Sequence, residues 1–371
     1  MRIVRLIAVA LALIAAAPAP ARTPQFELDR NATLETLQIM VLLAPSWKVP
    51  NVGVRPLADK EKAHFARYAS HPSIQLLDKM MRAEGSGWIN WLQILNIMAV
   101  SSEKPVPHAS FDRNRIGFPD FEFPKQNIAS AVQLMNAVNQ FYRDAHVENF
   151  LHESRLAYDC AFAEVQKDLP PPSLLSAMER YYGTSLSRYA VLPSPLENNF
   201  VDMNVRVNTP QGIQTFMIVA PNRHAKTAEE YGCGFEEGKD TKWLVIHEFG
   251  HSFVNPLLEA PAVKTKINQY AHLYSPIKDE QTSQGMPEWF GTVIEHVVRL
   301  GEIRILESVG DRNGAQQRRL DYVFDRDFVY LPLLEDRIKE YEADRTKYAT
   351  FQSFIDRLIG AFSDEQPVSK Q

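Results

Sequence analysis

Apolar side chains recur at helical spacing through most of the chain after residue 30. Leu34, Leu37, Ile39 and Met40 mark a first amphipathic helix. The same period runs through roughly 59–82, 88–100, 126–147 and 151–167. Pro105, Pro107, Pro119 and Pro124 interrupt the pattern. Pro170-Pro171-Pro172 stops it, after which Ser173 can cap a helix to Tyr182. Beyond Gly183 the texture changes. Tyr189 to Leu192, Phe200 to Val207 and Thr215 to Ala220 are short β-prone runs, and residues 208–212, Asn-Thr-Pro-Gln-Gly, read as a turn. Helical spacing returns over about 241–255, 261–273, 286–300, 331–344 and 350–362. This pattern predicts a predominantly α-helical α+β protein. A helical region, 22–185, either stands apart from or belongs to the same unit as region 186–365, which holds a small sheet.

The first residues add a targeting segment. Arg2 and Arg5 precede an uncharged apolar run from Leu6 to Ala17, and Ala19-Pro20-Ala21 suits cleavage after Ala21. The run is shorter than the roughly 20 residues that cross a bilayer as a helix, so 1–21 reads as a signal peptide rather than a retained anchor. The expectation is a periplasmic or secreted protein, with no stable membrane insertion after cleavage. A net charge of −5 gives no reason to expect nucleic acid as a partner. The only cysteines, Cys160 and Cys233, are too few for a zinc ribbon, and their spacing leaves open whether they pair.

Candidate chemistry concentrates in residues 241–256, Thr-Lys-Trp-Leu-Val-Ile-His-Glu-Phe-Gly-His-Ser-Phe-Val-Asn-Pro. On a helix His247 and His251 share a face one turn apart, the spacing at which two imidazoles hold Zn2+. Glu248 stands beside the first ligand. Zinc lowers the pKa of a water on it towards about 7, and Glu248 can take the proton as general base. It is the only charged residue between Lys242 and Glu259. Two histidines and a carboxylate in so apolar a helix are costly without partners, which favours a metal over a self-satisfied core cluster.

A catalytic zinc of this kind takes a third protein ligand. A third histidine six residues after the second is excluded, because that position is Leu257. Glu288 and Glu295 lie seven apart and share a helical face. Glu295 falls among Val293, Ile294, Val297 and Val298, where an unpaired carboxylate is unfavourable. Glu288 follows Pro287 at a helix start, where the dipole favours an acid without any metal. Glu295 is the preferred ligand, ahead of Glu288, Asp279, Glu280 and His272.

His-Glu-Phe-Gly-His-Ser-Phe-Val-Asn-Pro, residues 247–256, resembles the signature of a bacterial family labelled as a domain of unknown function, with zincin-like character. The similarity extends to residues 65–71, to Trp289 through Glu295 and on to Val298-Arg299, to residues 327–334, and to Tyr341 through Phe354. Asp327 stands where glycine is expected. The resemblance implies a zincin-like fold with a gluzincin arrangement of two histidines and a glutamate, which supports Glu295 and draws attention to Arg299. It implies no substrate.

Tyr330, Arg299 and His296 are candidate donors to transition-state charge. Each also has an ordinary reading: a core tyrosine, a cation at a helix end, a structural histidine. His71 reads as structural. Asn255-Pro256 is expected to end the motif helix. Thr215–Ala220 is either a buried strand or an edge along which a peptide could lie. Asn31-Ala32-Thr33 is a formal glycosylation sequon. The function that follows is a secreted zinc metallopeptidase acting on peptide or protein substrates. Its alternatives are a non-catalytic binding or structural module and a metal-dependent amidase or esterase.

Overall fold

The computed structural model describes residues 22–47, 53–84, 125–197, 202–222, 225–235 and 241–364. The expected signal peptide, the helical stretch 88–100, the prolines between 105 and 124, and Phe200 lie outside the described residues. Among those described, no helix is long and apolar enough to cross a membrane.

Helices dominate around one four-stranded sheet, an α+β arrangement. Its strands are β1 (Phe26–Leu28), β2 (Arg188–Pro193), β3 (Met203–Thr209) and β4 (Gly212–Val219), in the order β1-β2-β4-β3. The first three in that order run parallel, and β3 is antiparallel to β4. The helices from Ala32–Leu43 to Ser173–Tyr182 therefore form the crossover that a parallel β1–β2 pair requires. The turn expected at 208–212 is present: Thr209 pairs with Gly212, whose φ of +116° suits glycine.

Of the two readings of Thr215–Ala220, the buried strand is the one found, because β4 pairs with β2 on one side and with β3 on the other. Among the described residues β1 and β3 end the sheet.

Side chains alternate across the sheet with the period of two that strands impose. Tyr189, Val191, Met217 and Val219 join the main core beneath helix Thr241–Leu258, whose Phe249 ring lies 5.3 Å from Tyr189. Ala190, Leu192, Val205, Val207, Phe216 and Ile218 pack on the opposite face with Leu34. Leu37, Met40, Phe65, Leu77, Phe141 and Phe150 form a second core among the N-terminal helices. The main core reaches back to Ala161, Leu174 and Tyr182, so the helices just before β2 wall in the motif helix.

Cys160 and Cys233 are joined, with Cα atoms 5.6 Å apart. The bridge ties helix Arg155–Asp168 to the segment preceding the motif helix. Glu164 on that helix accepts the amides of Cys233 at 2.9 Å and Phe235 at 2.8 Å. Asn31 of the sequon is 7% exposed, and its Oδ1 accepts the Leu34 amide at 2.8 Å. It is a helix cap with no room for a glycan.

Acids are buried where helix Ala32–Leu43 meets the loop after β2. Glu35 accepts the Tyr158 hydroxyl at 2.8 Å, yet burial pushes its carboxyl from 4.5 up to about 7. Fully enclosed Glu61 is likewise raised by burial, against the nearby Arg55 charge. Between pH 4.5 and about 7 the folded chain keeps a proton at Glu35 that the unfolded chain has released. Stability therefore falls as pH rises through that window and levels off above it. Glu35→Gln should lessen the fall by on the order of 3 kcal/mol, measured as denaturant midpoints from pH 4.5 to 8. An unchanged pH profile would remove Glu35 from this role.

Candidate metal centre

Two helices carry the site, Thr241–Leu258 and Trp289–Ser308. Their crossing depends on missing side chains. A Cβ on Gly250 would meet Val298 Cγ1 at 3.4 Å and the Tyr182 hydroxyl at 3.5 Å, while one on Gly301 would collide with that same hydroxyl. Tyr182, stacked on Phe253 at 4.5 Å, is wedged where both helices present glycine. Tyr182 thus needs glycine at 301, whereas a Cβ at Gly250 would make ordinary contacts.

This crossing brings together His247, His251 and Glu295. One ligand atom from each lies within 4.8 Å of the others, so the group could hold a metal ion. The two Nε2 atoms are 3.3 Å apart. Glu295 Oε1 lies 3.5 Å from Nε2 of His251, and Oε2 lies 3.9 Å from Nε2 of His247. Glu248 approaches the same point, its Oε1 3.9 Å from His247 Nε2.

A second layer fixes which nitrogens carry protons. The Trp243 indole can only donate, and it donates to the Tyr322 hydroxyl. Tyr322 must then donate onward, and it does so to Glu302. The other Glu302 oxygen lies 2.6 Å from His247 Nδ1, which supplies the proton. On the second ligand, His251 Nδ1 donates to Asn255 Oδ1 at 3.1 Å. In the neutral tautomers so held, both imidazoles turn Nε2 as an acceptor towards the same point, 3.3 Å apart.

Charge at the third donor is set by its neighbours. Burial alone would raise the Glu295 carboxyl, but Arg299 and the two histidines outweigh it and bring it down to about 2. Arg299 is paired with Glu295 and stacks 4.3 Å from Phe328 and 5.1 Å from Tyr322. Burial moves Glu248 the other way, to about 7, helped by Asp202, Glu295 and Glu302. The site thus holds one carboxylate kept ionised and one poised to exchange a proton near neutrality.

Several sequence readings change. The motif helix does not stop at Asn255-Pro256 but runs to Leu258, and the Glu259 amide reaches the Asn255 carbonyl at 2.9 Å. So near the helix end, proline forfeits one backbone bond without breaking the turn. Keeping Asn255 helical puts its amide one turn beyond His251. Tyr330 is not a donor to this site, because its buried hydroxyl donates to the Leu273 carbonyl at 2.6 Å. Arg299 reaches the site as the partner of Glu295, 5% exposed, and is a clamp on a ligand rather than a group facing substrate. His296 is fully buried, with Nδ1 2.8 Å from the Thr292 carbonyl, and burial holds it down to about 4. His71 lies in the N-terminal half, 3.3 Å from Asp144. Glu288, Asp279, Glu280 and His272 are not among the converging group. Asp327 does the work of the expected glycine, with φ at +51°, a conformation aspartate tolerates better than most residues.

Glu302, Tyr322, Trp243 and Asn255 were missed. Glu302 had a signal: it follows Glu295 by seven residues, on the same helical face, in an equally apolar run. Tyr322 had none, since it arrives through the π-helical turn Asp321–Asp325, from beyond another helix.

Fold and site together define a helix-rich α+β protein with a three-residue group between two crossing helices that could hold a metal ion. The chain belongs to the family described as a domain of unknown function, DUF4932, whose model matches residues 56–361. No curated protein and no solved structure matches it.

Removing the support behind a ligand should weaken metal binding by about 10–100-fold. Glu302→Gln is expected to show this in competition titration with a chromophoric chelator, and Tyr322→Phe a smaller loss. Equal affinities would deny the Trp243–Tyr322–Glu302 chain any part in holding His247. Gly301→Ala should destabilise the fold by about 1–3 kcal/mol through overpacking. Adding Tyr182→Phe should recover most of it in chemical unfolding, since that hydroxyl has no hydrogen-bond partner among the described residues. Failure to recover would place the strain elsewhere.

Proposed function

We propose that this protein is a zinc-dependent metallopeptidase with a zincin-like fold and a gluzincin ligand set, His247, His251 and Glu295. The observation that carries the reading is the convergence of two imidazole nitrogens and a carboxylate, with Glu248 beside them as a fourth group. Donor chemistry and spacing both suit zinc. A tetrahedral ion at about 2.0–2.1 Å from each imidazole separates the two nitrogens by about 3.3 Å, and the observed separation is 3.3 Å. A structural zinc normally has four protein ligands, whereas here the fourth approaching group is Glu248, a residue suited to proton transfer.

Bound here, zinc would act as a Lewis acid towards a carbonyl and make an attacking water more acidic. Glu248 would accept that water's proton and deliver it to the leaving amine, from a position where its Oε1 lies 3.9 Å from His247 Nε2. Arg299 keeps Glu295 charged and aimed. The edge strand β3 runs beside the motif helix, and its outer side, which has no strand partner among the described residues, can take an extended peptide as an added strand. A disulfide between Cys160 and Cys233, together with the basic-apolar start of the chain, supports action in the periplasm or outside the cell.

The test is zinc content and cleavage of unfolded casein by wild type and Glu248→Ala side by side. Both should hold about one zinc per chain, and cleavage should fall by at least about 100-fold in the variant. Zinc binding by both without cleavage of casein or of a peptide library would favour a non-catalytic binding module. Cleavage that survives the substitution would remove Glu248 as the base.

A further inference from the structure

One closed set of side-chain hydrogen bonds joins the motif helix to the sheet. Ser252, the residue after ligand His251, donates to Asn204 Oδ1 at 2.9 Å. Asn204 Nδ2 donates to Thr215 Oγ1 at 2.8 Å, and the Thr215 and Ser252 hydroxyls lie 2.7 Å apart. Because the Ser252 proton is committed to Asn204, the Thr215 hydroxyl donates to Ser252, and the ring closes with a donor and an acceptor at every corner. Thr215 is fully buried and Ser252 is 3% exposed.

The placement of the three corners is informative. Thr215 lies on β4, and Asn204 on β3 is paired with Met217, two positions along. Asn204 and Thr215 are therefore diagonal neighbours on one face, within side-chain reach. That face is turned towards the motif helix, since Val205 and Val207 occupy the other. Ser252 completes the contact from the helix, one residue from a metal ligand. The ladder with β4 fixes the register of β3 within the sheet; the three side chains add directional bonds that fix where the β3–β4 hairpin sits against the motif helix. The outward amides and carbonyls of β3 have no strand partner among the described residues.

We propose that the Asn204–Thr215–Ser252 ring sets the height of β3 relative to the metal ligands, making these three positioning residues for an extended peptide bound along β3. The inference rests on the peptidase reading above and deepens it. A peptide paired with β3 places its scissile carbonyl by backbone hydrogen bonds, so a β3–β4 hairpin that shifts against the motif helix misplaces the bond to be cut. The ring acts through the strand and touches no reacting atom. Its loss should weaken the capture of peptides long enough to pair with β3 and spare those too short to do so.

The test uses full-length zinc-loaded protein carrying Glu248→Ala, so that peptide binding is read without turnover. The probes are fluorescent unstructured peptides of eight residues and of three, followed by anisotropy. Thr215→Val keeps the volume and removes only the hydroxyl, and Thr215→Ser restores it; Ser252→Ala and Ser252→Thr form a second such pair. The proposal expects Kd for the long peptide to rise about fivefold to tenfold in Thr215→Val and Ser252→Ala. Recovery is expected in the hydroxyl-bearing variants, with Kd for the short peptide and zinc content unchanged. Equal loss for both peptide lengths, or no loss in folded zinc-loaded variants, overturns it. A Glu248→Ala protein with an intact ring that binds neither peptide contradicts the peptidase reading itself, and the proposal falls with it. An intact-ring protein that binds the long peptide no better than Thr215→Val does sinks the ring proposal alone.

Discussion

The Nε2 atoms of His247 and His251 and the two oxygens of Glu295 face one another, largely out of water, across 3.3 to 3.9 Å. With neither a proton nor a cation between them such acceptors repel one another. In a medium of low polarity that repulsion is far stronger than in water, and a cation at the common point turns every one of these contacts attractive. Much of the surrounding structure can be understood as holding this arrangement still. Arg299 offsets part of the charge from behind Glu295, and Glu302 and Asn255 hold the far nitrogens of the two histidines.

Holding donors this close requires the helices that bear them to cross closely. Gly250 lies inside the motif itself, between Glu248 and His251, and Gly301 lies next to Glu302. Tyr182 occupies the space that a side chain at Gly301 would fill and lies in contact distance of one at Gly250. The spacing of the metal donors is thus tied to packing between three helices, and one of them, Ser173–Tyr182, comes from the helical half of the chain. The sheet contributes through the same helix. Phe249 presses on Tyr189 while Ser252 is bonded to β3 and β4. Different faces of the motif helix therefore carry the candidate ligands and the contacts to the sheet.

The parts of this arrangement that follow local rules were legible in the sequence. His247, Glu248 and His251 announce themselves by spacing on one apolar helix, and Glu295 by being an acid in an apolar run. Gly212 marked the hairpin that leads into β4. What could not be read locally depends on which elements meet. Tyr322 reaches Glu302 from a turn beyond a further helix. Thr215 was assigned to a strand, but only pairing shows that β3 lies outside it. Tyr330 has the residue type of a transition-state donor and the burial of a core residue, and its partner, the Leu273 carbonyl, is a backbone atom that no side-chain pattern reveals. Pro256 shows the reverse case, a strong local signal for a helix end overridden in the last turn.

The central claim is that His247, His251 and Glu295 hold zinc in a site with an open position. X-ray absorption at the zinc edge, on the purified protein loaded with one equivalent, tests it most directly. The expected spectrum has four light-atom neighbours at about 2.0–2.1 Å with the outer-shell scattering of two imidazoles, and loses one imidazole in His251→Ala. A protein that retains no zinc, or a zinc with sulfur neighbours or without imidazole, would contradict it.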